Sequence, residues 1–167
     1  MKELYLLSNR EGKEVEASRS SAKDIKAVLC HEFNIVTLEL GGRSWVSQLN
    51  EIKKKGLYFL TTHGGFGENG SLQSYLEASR KTYTFSQSAT CGILANKHFT
   101  KLVYKSLEIK TPDWCFDKKL FGSHGLSGEG FVEKPIQGGS KFGINRIFGE
   151  TALSKKNGYN RKIYSWI

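Results

Sequence analysis

Proline is nearly absent from this chain. Pro112 and Pro135 are the only two among 167 residues, so neither a proline-rich linker nor a polyproline recognition segment is encoded. Cysteine is scarce as well: Cys30, Cys91 and Cys115 are odd in number and widely spaced. That pattern argues against a disulfide framework and makes a reducing cytosol the expected address. No run approaches the roughly 20 apolar residues needed to cross a bilayer, so no membrane partner is expected. The opening Met1-Lys2-Glu3-Leu4-Tyr5 reads as a charged lead into a strand, not as a signal peptide. Acidic side chains are outnumbered, 16 against 25 lysines and arginines, for a net charge of +9. The basic residues are scattered as Lys53-Lys54-Lys55, Lys118-Lys119, Lys155-Lys156 and Arg161-Lys162, without interleaved aromatics on which bases could stack. This favours phosphate or acidic-metabolite binding, or a solvated basic surface, over a nucleic-acid partner. HExxH, GxSxG, paired CxxC and GxxxxGK[ST] are all missing. Cys30-His31-Glu32 has nothing nearby to complete a tetrahedral metal set and reads as the end of a helix.

Glycine, by contrast, is plentiful, with 18 residues, and much of it is concentrated in two segments. The first half of the chain alternates strands and helices. Residues 3–8 read as a buried strand and 18–29 as a helix with Ser20 or Ser21 at its N-cap. Residues 35–40 form a second strand, 47–54 a short polar helix and 56–62 a third strand. Such alternation implies a parallel sheet with right-handed crossovers. The first glycine segment, His63-Gly64-Gly65-Phe66-Gly67-Glu68-Asn69-Gly70-Ser71-Leu72-Gln73, follows that third strand and runs into an amphipathic helix over 71–78, with Ser71 its candidate N-cap. It matches G-x-G-x-x-G literally. However, it follows the third strand, and no acidic residue stands about 20 positions on to take a ribose hydroxyl, so the dinucleotide reading is weak. His63 lies at the carboxyl edge of a strand, where open α/β sheets place ligands.

Past residue 90 the character changes, and a domain boundary is expected there, dividing 1–90 from 91–167. A basic helix spans 97–107 and ends at Thr111-Pro112-Asp113-Trp114. Residues 130–134 form a strand that pairs with 143–147 as a hairpin, and 161–167 form a further strand. Between the hairpin strands lies the second glycine segment, Gln137-Gly138-Gly139-Ser140-Lys141-Phe142-Gly143. Consecutive amides with few side chains in the way make a backbone nest for phosphate oxygens, and Lys134 and Lys141 supply charge.

These residues, in this order, resemble the D-alanine–D-alanine ligases of the ATP-grasp superfamily. The motifs that carry the resemblance are His63 to Gln73, Thr82-Tyr83-Thr84-Phe85-Ser86, Asn96-Lys97-His98-Phe99-Thr100-Lys101, Thr111 to Trp114, and Val132-Glu133-Lys134-Pro135 with the loop to Gly143. The resemblance implies an N-terminal Rossmann-like (pre-ATP-grasp) parallel sheet followed by the small α+β central subdomain of an ATP-grasp fold. It also implies a ligase that phosphorylates a carboxylate with ATP and lets an amine displace the phosphate. Lys97 and Lys134 would contact the ATP phosphates. Gly138, Gly139, Ser140, Lys141 and Gly143 would form the lid over them, with Ser140 also close to the amino-acid site. His63 and Gly64 would lie beside the first substrate. Family members commonly dimerise through the N-terminal subdomain, so a homodimer is implied. The family usually carries a glutamate for the substrate ammonium within E-R/H-E-V-S. Here Glu11-Gly12-Lys13-Glu14-Val15-Glu16 puts Gly12 at that position, and Glu11 substitutes after a one-residue shift. The family's Mg²⁺ carboxylates, adenine-binding hinge and oxyanion-stabilising arginine belong to a C-terminal half beyond Ile167, so no metal ligand is expected within this chain. The alternative is a ligase-like binding protein that kept the fold and lost turnover.

Overall fold

The computed structural model of the chain describes residues 1–52, 54–116, 131–140, 143–147 and 162–166. Two compact units divide it, Met1–Ile93 and Leu94–Ile167. The first is built on a four-stranded parallel sheet in the order β2-β1-β3-β4, with β1 at Lys2–Asn9, β2 at Phe33–Leu40, β3 at Leu57–Leu60 and β4 at Thr82–Tyr83. Leu4, Tyr5, Leu6 and Leu7 of β1 are all buried. A run without alternation marks a central parallel strand covered on both faces, and β1 pairs with β2 on one side and β3 on the other. Tyr5 stacks on Tyr58 of β3, ring centroids 4.9 Å apart. Leu40, Leu49, Leu60, Leu72 and Leu76 complete the cluster.

The helices differ from expectation in how they begin. Helix α1 spans Val15–Leu29, three residues earlier than the sequence indicates, and neither Ser20 nor Ser21 caps it; Glu14 occupies the N-cap without a side-chain cap bond. Ser18 is fully buried, and its hydroxyl accepts from the Asn9 amide at 2.7 Å. A serine in the first turn thus ties the helix to the end of β1 instead of capping it. As Cys30-His31-Glu32 suggested, the helix ends there, with Cys30 as C-cap. After a 3₁₀ turn at Gly42–Ser44, α2 covers Trp45–Asn50. The first glycine segment holds a single helical turn, α3 at Gly65–Glu68, followed by α4 at Ser71–Ala78. The N-cap of α4 is Gly70, not Ser71. At φ +90° Gly70 is left-handed, and a Cβ there would meet the Ser88 carbonyl at 2.5 Å. Helix α5, Ser88–Leu94, was not foreseen from the sequence. Its first amide, Ser88 N, donates to Glu77 Oε1 at 2.9 Å, and the Ser88 hydroxyl donates to Glu77 Oε2. The cap therefore comes from α4, eleven residues upstream.

The second unit opens with α6 at Lys97–Ser106, whose N-cap Asn96 accepts from the amides of His98 and Phe99. An antiparallel sheet follows in the order β5-β8-β6-β7, with β5 at Trp114–Cys115, β6 at Phe131–Pro135, β7 at Asn145–Ile147 and β8 at Lys162–Trp166. The predicted hairpin is present: β6 pairs with β7 in the register Glu133↔Asn145, and Asn145 donates to the Glu133 carboxylate at 2.9 Å. Lys141 lies outside the described residues. The α/β architecture read from the sequence is the one observed, a four-stranded parallel sheet first and a four-stranded antiparallel sheet after it in the chain.

Hydrogen bonds from Ser88, and then from the Tyr83 hydroxyl, hold the Glu77 carboxyl below its ordinary pKa. A carboxylate depressed in the folded state adds stability that is complete above its unfolded pKa, about 4.3, and vanishes as pH falls through the folded value. We expect Glu77→Gln to lower the thermal midpoint by a few degrees at pH 7, and the gap from the parent to close on acidification below about pH 4. A midpoint difference that persists unchanged at acid pH would contradict this assignment.

Candidate functional site

The chain leaves β1 for β2 on one side and later returns past β1 to β3 on the other, so the topological switch falls between β1 and β3. Their carboxyl ends form the crevice where parallel α/β sheets take ligands. Asn9 bridges the two strand ends: its Nδ2 donates to the His63 carbonyl at 2.9 Å, and its Oδ1 accepts from the His63 amide at 2.8 Å. Asn9 was not singled out from the sequence. His63 is half-buried, and its Nδ1 stands 3.5 Å from Glu68 Oε1, so one helical turn returns a carboxylate to the histidine that precedes it. Gly64 sits at φ +66°, and a Cβ there would collide with the Glu14 carboxylate. The glycine is therefore required twice, for its backbone conformation and for the acid that lies over it.

Glu11, the glutamate expected on the substrate side, and Glu14 are placed differently here. Glu11 is exposed and accepts from the Gly42 amide at 2.6 Å, so it is engaged in holding the 3₁₀ turn. Glu14 is half-buried and is the one against Gly64. The sequence signal for Glu14 was its place in Glu14-Val15, two positions from where a ligase glutamate is expected. Only the fold brings it to the glycine.

In the second unit, Asn96 seats Lys97 as the first residue of α6. The Lys97 amide donates to the Ile136 carbonyl at 2.9 Å, and its ammonium donates to the Gly138 carbonyl at 2.6 Å. Burial, and next the Lys134 ammonium, push the Lys97 pKa below the usual lysine range. The same two causes lower Lys101, against a smaller opposing pull from Asp113. Lys101 is itself committed. It donates to Thr111 Oγ1 at 2.9 Å and to the Pro112 carbonyl, and lies 5.3 Å from the Trp114 ring centre. Trp114 in turn donates to His98 Nδ1 at 2.9 Å. Lys97 and Lys101, both half-buried, thus share a cluster of positive charge with Lys134.

The glycine loop meets this cluster at Gly138. Gly138 at φ +100° and Ser140 at φ +58° are left-handed, and Gln137, Gly138, Gly139 and Ser140 are exposed. Glycines at 138 and 139 leave consecutive amides with few side chains in the way. Gly143, at φ +73°, has no room for a Cβ, which would meet Pro135 at 2.8 Å, so the return of the loop lies against the strand it left. Lys97, Lys134 and Gly138 are thus assembled from the two sides of a 41-residue separation. Charge and amides here suit a polyphosphate. Among the described residues no group of three or more His, Cys, Asp or Glu side chains could hold a metal ion.

No protein-family model matches the chain. A D-alanine–D-alanine ligase of Wolbachia pipientis subsp. Culex pipiens is 30% identical over 157 residues, 92% of this chain and 49% of that protein. The D-alanyl-alanine synthetase A structure from Vibrio cholerae superposes with a TM-score of 0.79 at 22% identity, over 99% of this chain and 58% of that one. A Bacillus anthracis D-alanine–D-alanine ligase complexed with ATP gives a TM-score of 0.76 at 20% identity, over 98% of this chain and 55% of that one. At such identities the structural likeness speaks to the fold. The chain spans about half the length of curated ligases it matches.

Removing the Lys134 charge should raise the pKa of both Lys97 and Lys101, since that ammonium is a stated cause of each depression. Titration of the two lysine side chains by NMR in Lys134→Met should show both midpoints moving upward. Unmoved midpoints would mean that the three ammonium groups do not share a pocket.

Proposed function

Because the chain is a relative of the D-alanine–D-alanine ligase family, matching it over about half of a member's length, we propose that it carries the substrate-recognising and phosphate-binding portions of an ATP-dependent carboxylate–amine ligase. The reading is of D-alanyl-D-alanine type, joining two amino acids for cell-wall peptidoglycan precursors. In such a reaction a carboxylate oxygen attacks the terminal phosphorus of ATP and ADP leaves. The second amino acid's amine then attacks the acyl carbon, releasing phosphate and a proton. Most of the task is positioning and charge neutralisation.

The observation that carries this reading is the cluster of Lys97, Lys134 and the Gly138–Ser140 backbone, where the Lys97 ammonium lies 2.6 Å from the Gly138 carbonyl and is depressed first by burial and then by Lys134. Lys97 and Lys134 hold phosphate oxygens; the amides of Gly139 and Ser140 lie over them. His63 takes the first substrate's carboxylate at the β1–β3 switch, and Glu14, lying over Gly64, takes the ammonium more readily than Glu11, which is occupied by the Gly42 amide. Mg²⁺ would enter with the nucleotide phosphates, and no step is assigned to it within this chain.

The test begins with binding. ATP should bind to this chain, and Lys134→Ala should weaken it by about tenfold or more, the loss of one hydrogen bond between charged groups. Glu14→Gln should leave ATP binding intact and weaken D-alanine binding; Glu11→Gln should do so less. Phosphate release with ATP, Mg²⁺ and a panel of amino acids including D-alanine then tests turnover. ATP affinity indifferent to Lys134 and Lys97 would overturn the phosphate site. Amino-acid binding with no nucleotide binding would establish the second reading, a ligase-like binding protein, which is favoured by Gly12 standing where the family has its glutamate.

A further inference from the structure

Three contacts join the start of α6 to the root of the glycine loop. The Lys97 amide donates to the Ile136 carbonyl at 2.9 Å, Asn96 and Gln137 form an isolated antiparallel bridge, and the Lys97 ammonium donates to the Gly138 carbonyl at 2.6 Å. The first two pin the root. The third reaches past it, onto a residue that is exposed and left-handed at φ +100°. Left-handed Gly138 and Ser140 are backbone choices that a free, glycine-bearing loop has little reason to hold, because glycine loses more conformational freedom on ordering than any other residue. Something must hold them, and the ammonium of Lys97 is placed to do so.

We propose that Lys97 is the fastener of the glycine loop in the ligand-free protein, so that one ammonium both holds Gly138 in its turn and presents donors to an incoming phosphate. The inference rests on the phosphate-site reading for the second of these duties only. The chemistry permits both together. An ammonium has three donors; the Gly138 carbonyl uses one, among the described residues no further acceptor meets it, and anionic oxygens accept more strongly than a neutral carbonyl. Burial and the neighbouring Lys134 keep that ammonium short of solvent and of counter-charge, which sharpens its demand for acceptors. Asn96 makes the arrangement reproducible. Its side chain accepts the first amides of α6 while its backbone meets Gln137, so Lys97 starts the helix at a set distance from the loop. Lys97 is in this sense a positioning residue as well as a phosphate ligand. Order in the loop and affinity for phosphate are then coupled through a single side chain, and by linkage each strengthens the other.

Amide hydrogen exchange on the ligand-free chain tests this without nucleotide or turnover. In Lys97→Met, the amides of Gln137 to Ser140 should exchange about fivefold faster or more, the effect of losing one hydrogen bond, while those of β6 keep the parent rate and so report an intact fold. Lys97→Arg, which restores a charged donor, should recover a large part of the protection. Lys134→Met should leave the loop amides unchanged, because Lys134 shares the charge but does not hold the loop. Equal exchange in Lys97→Met and the parent would overturn the proposal, and so would loosening in Lys134→Met as large as in Lys97→Met. Tripolyphosphate added to the parent chain separates the two readings. Loop loosening in Lys97→Met with no tripolyphosphate binding to the parent would support the fastener and overturn the phosphate site. Tripolyphosphate binding with a loop indifferent to Lys97 would do the reverse.

Discussion

Two hydrogen bonds between the Asn9 side chain and the backbone of His63 hold the carboxyl ends of β1 and β3 together, and the N-terminal crevice depends on them. A parallel sheet ends its strands with unpaired backbone groups on one edge, and at a topological switch neighbouring strands diverge with nothing between them. Asn9 fills that gap with a donor and an acceptor in one side chain. It keeps His63 at the rim, sets Gly64 under the Glu14 carboxylate, and leaves Glu68 one helical turn away from the imidazole. The Ser18 hydroxyl, bound to the Asn9 amide, carries the same constraint into α1.

The second unit follows a different logic. Its organising feature is surplus positive charge held in a partly buried place. Lys97 and Lys101 are both depressed, first by burial and then by Lys134. Lys101 donates to Thr111 and Pro112 and lies by the face of Trp114; Lys97 donates to the Gly138 carbonyl. Lys101 is tied to the turn that follows its own helix, whereas Lys97 is tied to the glycine loop 41 positions away.

Much of the fold was legible because burial writes itself into residue order. Leu4 to Leu7 without alternation meant a central strand, and the hairpin around the second glycine segment followed from two β-rich runs flanking a turn. Helix starts were less legible. Ser20, Ser21 and Ser71 looked like caps by residue type, yet the caps are Glu14 and Gly70, because Ser18 is claimed by Asn9 and Gly70 must pass close to Ser88. Helix α5 escaped notice since its cap, Glu77, belongs to another helix. Within the site, His63, Lys97, Lys134 and Gly138 were named from motif order, whereas the distinction between Glu11 and Glu14 rests on which carboxylate the turn at Gly42 engages.

Residue order by itself determined the class of the chain: parallel α/β strands, two glycine segments, lysines ahead of each side of the second one, and a likeness to carboxylate–amine ligases. These are local properties, set by hydrophobic runs, turn chemistry and short spacings. Tertiary structure alone decided which groups meet. Asn9 reaches His63 across 54 positions and Lys97 reaches Gly138 across 41, and contacts at such separations have no signature in local sequence because they arise only when the sheet and the helix have already been packed.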